Sequence, residues 1–304
     1  MTHRHIIYVP GKNPKPPSKQ HREMLWRALL EGVRRTDPKI ADNLNVHSYN
    51  FKLVAWNYLY YKTRENNSNQ EKKWIDALIE KQAPTERDIR EAKAWKHKLD
   101  KVLYKTIDQL PSLLQVLPRT ARLTAEELDR YFKNEEQIAS LVREQLKQEL
   151  RPLLLKGDKI LLIGHSLGSV IAYDTLWALS QLEHLPGEID LFLSIGSPLG
   201  MNYVQKRLLG NKYKNHSKKY PSNIRHWVNV TAVGDITPLD RNFEDDYKEM
   251  LKPNMTESIT DHSKEIYNYF RNEHGLNFHR SYGYLVNPVV GKTITDWWKN
   301  SEKP

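Results

Sequence analysis

With 304 residues the chain is long enough for one large α/β domain with insertions or for two ordinary domains, and 39% hydrophobic residues with eight Trp and sixteen Tyr exclude a disordered chain. The absence of cysteine excludes a disulfide framework, thiol catalysis and Cys-ligated zinc. A formal charge of +10 invites contact with nucleic acid or an anionic membrane. The basic excess is spread along the chain, and its densest run, Lys206 to Lys219 with six Lys/Arg and no acid, reads as a solvated loop. Nucleic acid is therefore set aside as a partner, and peripheral contact with an anionic membrane is kept open. The apolar run near the N-terminus is too short for a signal peptide, and no later run approaches a transmembrane helix in length, so the cytoplasm is the default location.

His5 to Val9 is a β-branched run ending at Pro10-Gly11, which predicts a strand entering a turn, with a Pro-rich loop to Pro17. Ser18 to Arg35 carries Met24, Leu25, Ala28, Leu29 and Val33 at helical spacing, and Asp37-Pro38 stops that helix. A second strand is predicted at about Phe51 to Trp56. The polar run Asn66 to Gln70 breaks the segment after it, and from there to about Leu150 the pattern is helical. Thr85 and Thr124 each precede an acidic residue by three positions, as a capping box does. This predicts a helical insertion at about 66–150 within a single domain spanning 1–304.

Lys159 to Ile163 is a buried-strand candidate, followed by Gly164 to Gly168 and a helical stretch from Ser169 to Leu182. Ile189 to Ile195 and His226 to Val233 repeat the strand pattern, ending at Gly196-Ser197-Pro198 and Gly234-Asp235, and Pro288 to Trp298 reads as a last helix. Strands alternating with helices predict the α/β class, with a mainly parallel sheet flanked by helices.

Gly164-His165-Ser166-Leu167-Gly168 places a Gly-x-Ser-x-Gly element directly after a buried strand and directly before a helix, the context a nucleophile elbow requires. Glycines two residues either side of Ser166 would let a strand and a helix approach without a Cβ clash. A serine hydroxyl is a weak nucleophile near neutral pH, so a His base and an orienting acid must come from elsewhere, in the chain order acid and then His. Asp235, in the loop after a later strand, leads over Asp240, which lies farther along, and Asp190, which lies at the wrong end of its strand. His279, late in the chain and just before the last helix, leads over His262 and His274; His262 reads as part of a helix start at Thr260-Asp261.

These three motifs, in this order, resemble the lipase/esterase branch of the α/β-hydrolase superfamily: Gly164 to Gly168, Gly234-Asp235-x-x-Pro238 and His279-x-Ser281-Tyr282. The resemblance covers the sheet-forming parts and leaves out the helical insertion. It implies an eight-stranded ancestral sheet in which the strand at His5 to Val9 takes the third place, so that the first two strands are missing and the fold is reduced at the N-terminus. It also implies an oxyanion hole formed by the backbone N–H of Leu167 and by one from the loop after that first strand. There Pro10-Gly11 replaces the family's frequent His-Gly, and Lys12 takes the donor's place.

The insertion carries an apolar run, Leu110 to Leu117, which predicts either a lid or cap over an acyl pocket or packing on the main core. The expected activity is hydrolysis of a carboxylic ester or related acyl bond, with a small-molecule or lipid-like acyl ester as substrate. A thioesterase, amidase or acyltransferase would use the same residues. A catalytically silent member that holds an anionic partner on its basic surface is the reading from a different class. Neither cofactor nor metal is expected: Gly291-Lys292-Thr293 lacks the strand-loop-helix frame of a phosphate-binding loop, and His3 with His5 reads as one strand face.

Overall fold

The computed structural model describes residues 3–65, 68–103, 119–235, 243–252 and 255–301. Six strands pair in parallel: β1 (Arg4–Val9), β2 (Phe51–Leu53), β3 (Lys159–His165), β4 (Ile189–Ile195), β5 (Ile224–Val230) and β6 (Ser258–His262), in the order β2-β1-β3-β4-β5-β6. The pairing register sets Val9 opposite Gly164, then lines up His165, Ile195, Val230 and His262 across four strands. The C-terminal ends of β1, β3, β4 and β5 therefore finish together at one edge, where the loops of an open α/β sheet build their sites.

Both faces of the sheet are buried, which is why β3 reads as an unbroken apolar run rather than an alternating one. Ile160 and Leu162 of β3 point into one core with Ile7, Val9 and Phe192, and Leu161 and Ile163 into the other with Ile6, Tyr8 and Leu193. The second face is covered by α1 (Ser18–Arg34), α12 (Ser281–Leu285) and α13 (Pro288–Asn300). Helices α1 and α13 cross so closely that a Cβ on Gly291 would lie 1.9 Å from the Gly32 carbonyl oxygen. Gly291-Lys292-Thr293 is thus the inside of a helix.

Between β1 and β3 the chain forms α1, α2 (Pro38–Val46), α3 (Asn57–Tyr61), α4 (Ser68–Glu80), α5 (Glu86–Leu103), α6 (Arg119–Lys133) and α7 (Ile138–Lys156). Asp37-Pro38 does end α1, but it also starts α2: the Asp37 carboxylate accepts from the N–H groups of Lys39 (3.0 Å) and Ile40 (3.2 Å), with Pro38 at the first helical position. Thr85 forms the capping box of α5 with Asp88, each side chain accepting the other's backbone N–H at 3.3 and 2.8 Å. Thr124 does not start a helix, because α6 has begun at Arg119. The insertion divides between the two cores: Ile75 and Leu78 of α4 join the face covered by α1, whereas Val142, Leu146 and Leu150 of α7 pack on the other face beside α8 (Leu167–Gln181). The run Leu110 to Leu117 lies outside the described residues.

After α8 and β4 come α9 (Asn202–Gln205) and α10 (His216–Lys219), then β5, α11 (Phe243–Tyr247), β6, and an antiparallel pair, β7 (Arg271–Asn272) with β8 (Gly275–Leu276). The structure corrects the expected helix start at Thr260-Asp261: those residues and His262 belong to the edge strand β6. No helix among the described residues is long and apolar enough to cross a membrane.

Candidate active site

Ser166 stands between β3 and α8 with φ 53° and ψ −130°, a backbone state that costs a non-glycine residue about 1–3 kcal/mol and persists only where its surroundings fix it. Here its N–H donates to the Ile195 carbonyl at 3.1 Å, and its own carbonyl accepts from Ser169 N–H (2.9 Å) and Ser169 Oγ (2.6 Å). The flanking glycines permit the close approach. A Cβ on Gly164 would sit 2.6 Å from Ser169 Cα, and one on Gly168 would sit 2.3 Å from the Val9 carbonyl oxygen.

Gly168 thereby brings the end of β1 against the turn, and the loop after β1 passes over Ser166: a Cβ on Gly11 would lie 2.8 Å from Ser166 Cβ and 2.6 Å from His165 Nδ1. Two side chains from the β2–α3 region hold this loop. Trp56 Nε1–H donates to the Pro10 carbonyl at 2.8 Å, and the Asn57 amide donates to the carbonyls of Gly11 (2.7 Å) and Asn13 (3.0 Å). Lys12 follows Gly11 in this loop, its pKa pushed down by burial despite the opposing charges of Glu127 and Glu126. Leu167, opening α8, flanks Ser166 on the other side.

His279 arrives from the segment between β8 and α12, where the Asn277 side chain accepts its backbone N–H at 3.1 Å. Its Nε2 lies 2.8 Å from Ser166 Oγ, and its Nδ1 lies 2.8 and 3.0 Å from the two carboxylate oxygens of Asp235. Because a carboxylate only accepts, Nδ1 carries the proton and Nε2 presents its lone pair to the serine hydroxyl. Such an arrangement can take the serine's proton and leave the resulting imidazolium beside a buried negative charge.

Asp235 follows β5 and Gly234, whose φ of +88° turns the chain toward the site. Its carboxylate is fully buried, and Tyr284 of α12 donates its hydroxyl to Oδ2 at 2.5 Å while accepting the Ala232 N–H at 3.0 Å. Burial, and then the neighbouring Asp235 charge, hold the Tyr284 hydroxyl's pKa well above its ordinary range. Gly196, at φ +52° after β4, fills the remaining side: a Cβ there would approach Asp235 Oδ2 to 3.0 Å and His279 Nδ1 to 3.2 Å.

The structure thus brings together Ser166, Asp235 and His279 and leaves the described rivals apart. Asp190 lies at the start of β4, bonded to Lys159 Nζ (3.0 Å) and the Ile160 N–H (2.8 Å). His262 ends β6, where its carbonyl accepts the Thr231 N–H, and His274 is an exposed residue of the β7–β8 turn. Asp240 is outside the described residues.

Three supporting residues escaped the sequence reading. His165 carries its signal only in hindsight, as the residue before Ser166; its Nε2–H donates to the His279 carbonyl at 2.8 Å. Tyr284 carries none beyond its proximity to His279. Arg280 pairs with the buried Glu71 of α4 and lies 3.9 Å from Glu65, which ties the segment bearing His279 to the insertion.

Among the described residues no group of three or more His, Asp or Glu side chains could hold a metal ion. No curated protein and no solved structure matched the chain. A family model did: the class 3 lipase family matches residues 65–239, more than half of the sequence. That span takes in the helices α4 to α7, which the motif resemblance had left out, and both Ser166 and Asp235; it stops short of His279. The match, on a parallel sheet flanked by helices, identifies the chain as a lipase-like hydrolase that belongs to the class 3 lipase family of the α/β-hydrolase superfamily.

Proposed function

We propose that the protein is a serine hydrolase that cleaves carboxylic esters of lipid-like acyl groups, with Ser166 as nucleophile, His279 as base and Asp235 as the acid that orients it. The observation that carries this reading is the continuous pair of hydrogen bonds from Ser166 Oγ through the His279 ring to Asp235. Ser166 Oγ adds to the acyl carbonyl as its proton passes to His279 Nε2. The oxyanion is held by the backbone N–H groups of Leu167 and Lys12. The adduct collapses to an acyl-serine and an alcohol, which takes the proton from His279. A water, deprotonated by His279, then adds to the acyl-serine and releases the carboxylic acid and the free hydroxyl.

The same residues would serve a thioesterase, amidase or acyltransferase, and family membership favours the ester reading. In this proposal the chain is one domain, the part of the insertion at about 66–150 that the two cores do not take up borders the acyl site as a lid or cap, and the enzyme works in the cytoplasm. Time-dependent labelling by a fluorophosphonate probe tests the mechanism. Wild type is expected to label and Ser166→Ala not to, with the loss of wild-type activity on p-nitrophenyl esters tracking the labelled fraction. A folded wild type that neither labels nor hydrolyses short- or long-chain esters would replace this reading with that of a silent binding protein.

A further inference from the structure

The segment between β4 and β5 has work that the site does not absorb. Residues 206–219 form a fixed platform along the flank of α8. The Leu209 N–H donates to Asp174 (3.0 Å), Trp177 Nε1–H to the Lys218 carbonyl (2.9 Å), and the Gln181 amide to the carbonyls of Ser217 and Tyr220 (2.8 Å each). At Gly210 the platform folds on itself so tightly that a Cβ would lie 1.9 Å from the Lys219 carbonyl oxygen. The basic run is solvated, as its composition suggested, and it is also held in place.

The run itself carries charges of one sign. Lys206, Arg207, Lys212, Lys214 and Lys218 are exposed and Lys219 is half-buried. Three of the six cations lie over tyrosine rings of the same segment: Arg207 over Tyr203 at 3.8 Å, and Lys212 over Tyr213 and Lys219 over Tyr220 at 5.2 Å each. None of the six forms an ion pair with a described carboxylate. Two acids of the neighbouring segment have other partners, Glu249 with His216 and Tyr220, and Asp246 with the Gln205 amide at 2.7 Å. Lys206, Lys219 and Asp246 also line a small cleft with Tyr173, Leu208, Tyr220 and Tyr247.

We propose that this platform docks the protein electrostatically on a bilayer surface rich in anionic phospholipid. Fixed, unpaired cations interleaved with tyrosines suit a plane of phosphates and glycerol esters, where aromatic rings settle at headgroup level and each Lys/Arg adds to the attraction. The choice of a lipid surface over nucleic acid rests on the ester-hydrolase reading. The platform lies beside the site and not in it: Tyr173 and Trp177, against which it packs, are seven and eleven residues along α8 from Ser166, roughly 10 and 16 Å at the helical rise. It recruits the enzyme to its substrate's phase without shaping the reaction.

The test compares two triple variants of equal net charge, Lys212→Gln/Lys214→Gln/Lys218→Gln on the platform and a control, Lys39→Gln/Lys156→Gln/Lys264→Gln, at exposed positions outside both the platform and the insertion. Wild type is expected to co-sediment with phosphatidylcholine vesicles containing phosphatidylserine, to be released by high salt, and to ignore pure phosphatidylcholine vesicles. The platform variant should lose about tenfold or more in vesicle affinity, and the control variant should bind like wild type. Hydrolysis of a soluble short-chain p-nitrophenyl ester should be the same in all three, which also reports that each is folded. Equal weakening in both variants would mean that net charge alone acts, and vesicle binding unchanged in the platform variant would assign it elsewhere. Either result overturns the proposal, as would a wild type that ignores the anionic vesicles or binds single-stranded RNA in preference to them. Failure of ester hydrolysis with vesicle binding intact would instead count against the serine-hydrolase reading.

Discussion

His165 holds His279 from behind: its Nε2–H donates to the His279 carbonyl at 2.8 Å, and the two rings lie 4.8 Å apart. A carbonyl can only accept, so this bond fixes the His165 tautomer. Burial, reinforced by the facing His279, pushes the His165 pKa well below its ordinary value and keeps the ring neutral. The residue beside the proposed nucleophile in sequence is thus the one that sets the height of the proposed base. His165→Phe keeps an aromatic ring in the space and removes only the donor. We expect kcat to fall about fivefold with KM nearly unchanged, since a lost hydrogen bond is worth about 1 kcal/mol. Full kcat in a folded His165→Phe protein would mean that the carbonyl needs no anchor.

Gly11 gives a sharper test, because its missing Cβ is what lets the β1 loop lie on Ser166. A methyl there would meet His165 Nδ1 and Ser166 Cβ at 2.6 and 2.8 Å, so the loop must lift. Gly11→Ala should displace the proposed Lys12 donor and lower both ester turnover and fluorophosphonate labelling by about 100-fold, the scale of losing one oxyanion donor. The comparison to make is against thermal stability. A large fall in melting temperature with proportional loss of activity would point to unfolding, and normal kinetics would remove the loop from the oxyanion hole.

Tyr284 joins two halves of the acid's support, giving a hydrogen bond to Asp235 and taking one from the Ala232 N–H. Tyr284→Phe leaves a buried carboxylate short of a donor and a buried N–H without an acceptor. Each such loss costs about 1–3 kcal/mol. In urea, the unfolding midpoint should drop with an unchanged slope, and kcat should drop with it as Asp235 loses its fixed orientation. An unchanged midpoint would show that water replaces the hydroxyl at no cost.

The elements easiest to read in the sequence were those with one dominant signal. β3, its tight turn and α8 announce themselves through an apolar run between glycines, and position, both along the chain and relative to the strands, put Asp235 and His279 ahead of most of their rivals. β6 was illegible because an edge strand needs no apolar run: Ser258–His262 is mostly half-buried and polar, and Thr260-Asp261 mimics a helix start. Asp37-Pro38 misled in a related way, since a stop for one helix and a cap for the next use the same residues. The supports of the site, Trp56, Asn57, His165 and Tyr284, act through contacts between residues far apart in the chain. No local pattern encodes such contacts. The insertion's kinship with class 3 lipases was hidden because amphipathic helices carry periodicity but no distinctive motif.

The last prediction concerns Asp174, eight residues beyond Ser166 on α8 and buried. Its carboxylate accepts from Tyr131 of α6 (3.0 Å) and from the Leu209 N–H (3.0 Å), and Arg143 of α7 donates to the same tyrosine at 3.1 Å. Burial pushes the Asp174 pKa up to about 6, because the Leu209 and Tyr131 hydrogen bonds and the Arg143 charge offset only part of the desolvation. The folded protein therefore holds this proton more tightly than the unfolded chain, whose carboxyl has its ordinary value near 4. The associated stability is fully present below about pH 4 and is lost as pH rises through about 6. Two units correspond to about 3 kcal/mol. Asp88 and Glu183 act with the opposite sign. Hydrogen bonds from Lys81, Thr85 and Arg271 outweigh burial at Asp88, and those from Arg151 and Lys147 dominate at Glu183, so both sit at about 2 and lose stability only at lower pH. Comparing Asp174→Asn with wild type cancels those groups. Relative to wild type, the variant should gain about 2 kcal/mol between pH 4 and pH 7 in urea unfolding, whatever its absolute stability. A difference that stays flat over that range would mean that Asp174 titrates near its ordinary pKa, with water reaching it between α6, α8 and Leu209.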